Sequence, residues 1–249
     1  MSRVNEPLEK LTTTPETAKM SSVPDWMVGA GLDTDMTGDP NTGGSSGNRF
    51  WMPPGSEKTI VLLTEGNAMP VIWEHQPKIG GSFRNWFTCL DNGKKEGEKC
   101  TCDLCAYAAA NKGKGRRYKA AFGTLIDTSE WTDDKGKKHS NTRRLLCSKK
   151  ETTEILKRRY LQLLEDGKGL QYAIFKVFRS TADKSPSCGD DWQYVRHADP
   201  AKLPSGMEEF NYAEMLAPNE KAVADAVRQL TGEASYNEPA NKSKTDIPF

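Results

Sequence analysis

The chain has 249 residues, of which 36% are hydrophobic and 28% charged, for a formal net charge of +1. Mean hydropathy is −0.71, no apolar run approaches the ~20 residues that span a bilayer, and the opening MSRVNEPLEK shows no apolar stretch behind its basic residue. A membrane protein and a secretory leader are therefore not expected; a cytoplasmic location is, and there the 6 cysteines read as ligands or free thiols rather than disulfides.

Charge is segregated along the chain. Residues 1–48 hold 3 Lys/Arg against 7 Asp/Glu, residues 49–199 hold 27 against 19, and residues 200–249 hold 5 against 8. A basic centre between acidic arms suits a polyanion binder, and equally an ordinary solvated surface.

In chain order, residues 1–48 read as a flexible acidic arm and linker, because the Gly/Asp/Thr/Ser-rich stretch 29–48 cannot bury enough surface to offset its ordering entropy. Within the arm, Trp26 and Met27 form a short apolar island suited to docking. Order is expected from residue 49. Residues 58–63 (KTIVLL) and 69–74 (MPVIWE) read as strands around the turn residues Glu65, Gly66 and Asn67. Residues 82–89 (SFRNWFTC) alternate as a third strand, with Arg84 and Trp86 on one face. A charged loop precedes a short helix at 103–111. Further strands are expected at 119–126, 143–147, 170–178 and 192–196. Residues 151–164 place apolar side chains at 155, 156, 160, 163 and 164, which is helical spacing, and 217–231 read as a second helix. Residues 232–249 read as a disordered tail. Short strands around one helix, with long excursions between them, predict a mainly β fold. An OB-fold-like Greek-key barrel over 49–216, carrying a metal-binding insertion at about 75–112, fits best; a mixed α+β sheet remains open.

The strongest chemical signal is His75, Cys89, Cys102 and Cys105. Thirteen residues separate His75 from Cys89 and twelve separate Cys89 from Cys102, while Cys102 and Cys105 form a C-x2-C pair that can reach one ion from a single turn. Three thiolates and one imidazole make a closed tetrahedral zinc site. Cys100 is an alternative third ligand to Cys102; C-x2-C is the commoner chelating spacing. Four protein ligands leave no open position, so a single Zn2+ would be structural and contribute an apparent ~10–16 kcal/mol to folding.

Single-stranded nucleic acid is held by cations on phosphates and by rings under bases. Candidates are Arg84 and Trp86, the run Lys112, Lys114, Arg116, Arg117, Tyr118 and Lys119, the pair Arg143 and Arg144, and Lys176 with Arg179. Trp86 and Tyr118 are as consistent with core as with platform. Phe122, Phe175, Tyr172 and Trp73 are expected in the core.

Two resemblances add to this reading. The ending Asp246, Ile247, Pro248, Phe249 closely resembles the tip of bacterial single-stranded-DNA-binding proteins. That resemblance implies capture of the Phe ring and terminal carboxylate by replication, recombination and repair partners. Residues 49–63 (RFWMPPGSEKTIVLL), 72–75 (IWEH), 85–89 (NWFTC), 102–105 (CDLC) and 122–131 (FGTLIDTSEW) look like the zinc-containing single-stranded-DNA-binding proteins of tailed bacteriophages, the T-even type. Over 49–196 this resemblance implies an OB-fold core, zinc on His75, Cys89, Cys102 and Cys105, and roles in replication, recombination and repair; it leaves self-association on DNA open, and the closed donor set points away from catalysis. That type carries a basic N-terminal arm, whereas residues 1–48 here are acidic. Two other classes compete. A zinc-dependent nuclease would need a second acidic cluster beyond Asp127 and Glu130, and a zinc-ribbon transcription or adaptor protein would bind protein through the finger.

Overall fold

The computed structural model describes residues 49–81, 85–94, 98–132, 136–182 and 185–232. Arg84 and the tip Asp246, Ile247, Pro248 and Phe249 lie outside the described residues, as do the acidic arm and most of the C-terminal tail.

The axis of the fold is β4 (Arg117–Asp127), a strand buried on both faces from Ala120 onward. Its apolar run AAFGTLI follows from that position, since a strand covered twice has no solvent face to mark with polar residues. β1 (Glu57–Leu62) and β2 (Val71–His75) lie end to end along one edge of β4, Ile60 opposite Asp127 and Val71 opposite Ala121. The turn residues at 65–67 thus do not fold β2 back onto β1; Glu65 caps a short 3-10 turn, Gly66–Ala68, that interrupts what is nearly one long strand. β7 (Thr142–Ser148) takes the other edge of β4. Beyond β1 come β8 (Ala173–Phe178) and β9 (Asp191–His197), and beyond β2 only β3 (Phe87–Thr88). A separate two-stranded ribbon joins β5 (Trp131–Thr132) to β6 (Lys138–His139).

The seven-stranded antiparallel sheet is open, which corrects the expected closed barrel. Its ladder ends on β9 at one side, and β7 pairs only with β4. Where β7 would need another strand, residues 49–52 cross instead. Arg49 makes a single parallel bridge to Leu145, the Phe50 N–H donates to the Leu145 carbonyl (2.9 Å), and the Met52 N–H donates to the Ser187 carbonyl (2.9 Å). Pro53 and Pro54 follow and have no N–H with which to extend a ladder.

One face of the sheet is covered by α2 (Lys150–Glu165), whose Ile155, Leu156, Tyr160 and Leu163 meet Leu62, Leu125, Leu146, Phe175 and Trp192 in the main core. The helix stops where Gly167 adopts φ 69° and the Lys168 N–H returns to the Leu163 carbonyl (2.9 Å), a left-handed C-terminal cap. The opposite face is covered by residues 198–217, a strap with little regular structure beyond the single-turn helix α3 (Tyr212–Met215). Leu203 and Met207 pack on Val61, Leu63 and Ile126; Phe210, Tyr212, Met215 and Leu216 pack on Ile72, Tyr118, Phe122 and Leu145. Polar pins hold it. The Tyr212 hydroxyl lies 2.6 Å from Thr64 Oγ1 and 2.7 Å from Thr124 Oγ1, and the Phe210 N–H donates to Thr124 Oγ1 (3.0 Å). Periodicity gives no warning of such a strap, because its apolar residues follow neither a strand nor a helix repeat.

After the strap, α4 (Glu220–Thr231) packs on α1 (Asp103–Ala110). Val223 and Ala226 join Cys89, Cys102 and Leu104 in a small second core. The helix expected at 217–231 is therefore a wall of the cysteine-bearing unit. The third strand expected over 82–89 is reduced to Phe87 and Thr88 among the described residues. No described helix is long and apolar enough to cross a membrane.

Candidate metal centre and cationic surface

His75 ends β2, Cys89 follows β3, Cys102 is the residue before the first turn of α1, and Cys105 lies within that turn. Strand pairing opposes His75 to Phe87, and the Cys89 N–H donates to the Trp73 carbonyl (2.9 Å), which brings Cys89 beside the histidine. The loop before α1 is clamped by Asp91. Its carboxylate accepts from the Thr101 N–H, the Thr101 hydroxyl (3.0 Å) and the Cys102 N–H (3.0 Å). The Cys100 thiol and Lys94 hold that carboxyl well below the usual carboxylate range.

The four ligand atoms all lie within 4.8 Å of one another. Cys89 Sγ is 3.7 Å from Cys105 Sγ, and His75 Nε2 is 3.7 Å from Cys102 Sγ and 3.5 Å from Cys105 Sγ. A tetrahedral ion with metal–sulfur bonds of about 2.3 Å spaces its sulfurs about 3.8 Å apart, so these separations are those of a coordination shell. His75 Nδ1 is 2.9 Å from the Gly115 carbonyl. As an N–H donor there, it fixes the tautomer and leaves the Nε2 lone pair facing the thiols. Gly115 can aim that carbonyl because it sits at φ 72°, a conformation that side chains rarely adopt.

Crowded thiols ionise unequally. The Cys102 thiol is pulled down to about 3 by the hydrogen bond it accepts from Cys89 and by His75, whereas burial pushes the Cys105 thiol up to about 12 and Cys89 is pushed higher still. A divalent cation relieves this competition by binding every sulfur as thiolate. The cluster can therefore hold a metal ion. Cys100 stands outside the four, its sulfur 3.9 Å from Cys89 Sγ. Arg117 Nη1 lies 3.9 Å from both of these sulfurs, with its guanidinium 4.4 Å from the Trp73 ring centroid.

The expected DNA-contact residues do not form one surface. Lys112, Lys114 and Arg116 are exposed on the turn between α1 and β4, beside the cysteine cluster. Arg117 and Lys119 alternate onto the Trp73 side of the sheet. Arg143 points to the strap, 4.3 Å over the Phe210 ring and donating to the Glu208 carbonyl (3.1 Å). Arg144 alternates away from Arg143 and is lowered in pKa by burial. Lys176 is exposed at the far end of the sheet and pairs with Glu57 (3.0 Å). Two expectations of a surface role are corrected. Arg179 is 4% exposed and spends its N–H groups on the Met52 carbonyl (2.5 Å) and on Ser185 (3.1 Å to Oγ). Tyr118 is buried and donates to Glu74. Trp73 and Tyr172, expected in the core, are only half-buried.

Three residues not singled out from sequence organise the region. Arg49 pairs with buried Glu74 and stacks 4.6 Å from the Trp86 ring centroid. Burial opposes the Arg49 charge, but Glu74 outweighs it and the guanidinium pKa lies above its ordinary value. Lys149 lies 4.1 Å over the Tyr118 ring. Arg49, Glu74 and Trp86 also line a cleft of about 630 Å³, closed on its far side by Met215, Pro218 and Ala222.

No protein-family model matches this chain, and no curated protein matches it either.

Proposed function

We propose that this protein is a non-catalytic single-stranded-DNA-binding protein whose cysteine-bearing unit is stapled by one structural zinc ion. The observation that carries the reading is the cation–ring stack on the sheet face next to that unit. Arg117 and Lys119 lie over half-buried Trp73, with Lys112, Lys114 and Arg116 exposed on the turn that leads into the same strand; the pairs of Arg49 with Trp86 and Lys149 with Tyr118 lie on the opposite face. Cations there would track phosphates and the Trp73 ring would take a base, a stacked base adding roughly 1–3 kcal/mol with little sequence preference. Three sulfurs and one imidazole nitrogen at tetrahedral spacing favour zinc over harder cations, which prefer oxygen ligands. Zinc would supply cross-linking rather than chemistry, since four protein donors complete its shell. The open sheet is read as an OB-related frame. The tip Asp246 to Phe249 would recruit replication, recombination and repair proteins, in keeping with its likeness to bacterial single-stranded-DNA-binding proteins.

Titrating tryptophan fluorescence with oligo-dT and with duplex, at several salt concentrations, tests the proposal. Single strands should bind in preference to duplex, with affinity falling steeply in salt. Each phosphate contact adds about 0.7 to the log–log salt slope, so K112A/K114A/R116A should flatten that slope by about 2. Equal affinity for duplex, a salt-independent response, or strand cleavage on adding a divalent cation would each sink the reading.

A further inference from the structure

Cys100 is the residue the tetrahedral reading leaves over, and its position is specific. Its sulfur lies 3.9 Å from that of Cys89, and Arg117 Nη1 touches both at 3.9 Å. Cys89 and Cys102 are fully buried, whereas Cys100 and Cys105 are partly exposed, and of these two only Cys100 lies outside the four-donor set. An oxidant arriving from solvent therefore meets Cys100 before it meets Cys89. A disulfide needs its sulfurs about 2.05 Å apart, so closing the gap takes a movement of roughly 2 Å, within reach of side-chain rotation at the half-exposed partner.

We propose that Cys100 is an oxidant-reactive modification site that, on reaction with a hydroperoxide, forms a disulfide with Cys89 and removes that ligand from the metal. The inference rests on the proposed metal-bound state, in which Cys89 is a coordinated thiolate. In the first step the Cys100 sulfur attacks the outer peroxide oxygen. The O–O bond breaks, a sulfenic acid forms on Cys100, and the alcohol or water leaves with the thiol proton. In the second step the Cys89 sulfur attacks the Cys100 sulfur. The S–S bond forms, the S–O bond breaks, and hydroxide leaves to be protonated as water. Overall two thiols are oxidised by two electrons and one peroxide is reduced. The metal keeps three of its four donors, and the wall that Cys89 shares with Val223 and Ala226 of α4 loses its cross-link. Oxidation would thereby loosen the cysteine-bearing unit, and a thiol reductant would restore it.

The test uses the full chain, as wild type, C100S and C100A. Metal content of each purified protein is measured first, then metal release under stoichiometric hydrogen peroxide with a chromogenic chelator, and finally the disulfide by peptide mapping without reductant. One zinc per chain is expected in all three proteins. Wild type should release it at least tenfold faster than either variant, with a Cys89–Cys100 linked peptide that disappears on reduction. Equal release rates, or a cross-link joining Cys100 to Cys105, Cys102 to Cys105 or Cys89 to Cys105, would overturn the proposal. If no protein carries metal, the metal reading fails on its own, and the peptide map still decides whether Cys100 pairs with Cys89.

Discussion

Glu74 offers the sharpest energetic test of the sheet junction. Its carboxylate is 3% exposed and accepts from both the Arg49 guanidinium, itself 13% exposed, and the Tyr118 hydroxyl. Replacing Glu74 by Leu would strand a buried cation and a buried hydroxyl together. Removing one partner of a buried pair costs about 3–5 kcal/mol, and a lost acceptor for Tyr118 adds about 1–3 kcal/mol. R49M strands the carboxylate instead, with Tyr118 still bonded to it, and should cost about 3–5 kcal/mol. In R49M/E74L neither charge remains and the unpaired Tyr118 hydroxyl is the main residual cost, about 1–3 kcal/mol, so the double variant should be no less stable than either single variant, with a coupling energy of roughly 6–10 kcal/mol if the single losses reach the values above. Urea unfolding of the four proteins measures this, provided the slope of free energy against urea stays constant across them. Additive losses, with a coupling below about 0.5 kcal/mol, would mean that water reaches the pair through the adjoining cleft, and the argument from burial would fail.

C105S should lose bound metal and lower the melting temperature together, because Cys105 contributes to both the donor set and the α1–α4 packing; metal analysis alongside calorimetry checks it. Tyr118 and Tyr212 both have phenol pKa values raised, chiefly by burial. The folded state keeps these protons where the unfolded chain begins to lose them, near pH 10, so their contribution is intact below pH 10 and is lost as pH rises beyond it. Melting temperatures from pH 9 to 11 should fall less steeply in Y118F and Y212F than in wild type. Deleting Phe249 should leave oligo-dT affinity unchanged while abolishing pull-down of a bacterial replication protein; a loss of DNA affinity would assign the tip to the binding surface instead.

Local chemistry made the metal ligands legible. Cys102 and Cys105 are neighbours through three residues of chain, and His75 and Cys89 are carried to them by strand ends that the apolar runs already mark. The amphipathic spacing of Ile155, Leu156, Tyr160 and Leu163 likewise reports the face that α2 buries. Sheet closure and the covering of the second face were not legible, because both depend on irregular chain. Residues 49–52 cross the edge of β7 with hardly any ladder, and Phe210, Tyr212 and Leu216 lie on the sheet without a repeat. For the same reason Arg143 looked like an exposed strand cation and proved to be capped by Phe210. Arg179 was misleading in another way: a charge at a strand end reads as solvated, and only the fold shows its N–H groups tying the loop at Ser185 to Met52.

The proposed staple would act where buried apolar packing is thinner than in the main core. The main core runs through α2 and both flanking strands and is continuous. The cysteine-bearing unit has its own core, in which Leu104, Val223 and Ala226 are the buried apolar residues besides the ligand cysteines Cys89 and Cys102. Trp73, Ile79, Phe87, Leu90, Val227 and Leu230 pack against it only partly buried, so this nucleus offsets less of the conformational entropy of its loops than the main core does. Asp91, Asn92 and Gly115 hold the backbone that aims the donors, but hydrogen bonds at about 1 kcal/mol each, net of water, are a small addition. A tetrahedral ion held by the four donors would join β2, the loop after β3 and both sides of the first turn of α1 at once. It would thereby fix the platform on which α4 lies and next to which Lys112, Lys114 and Arg116 are displayed. On the proposed reading, the metal would order the cationic turn without touching what that turn binds.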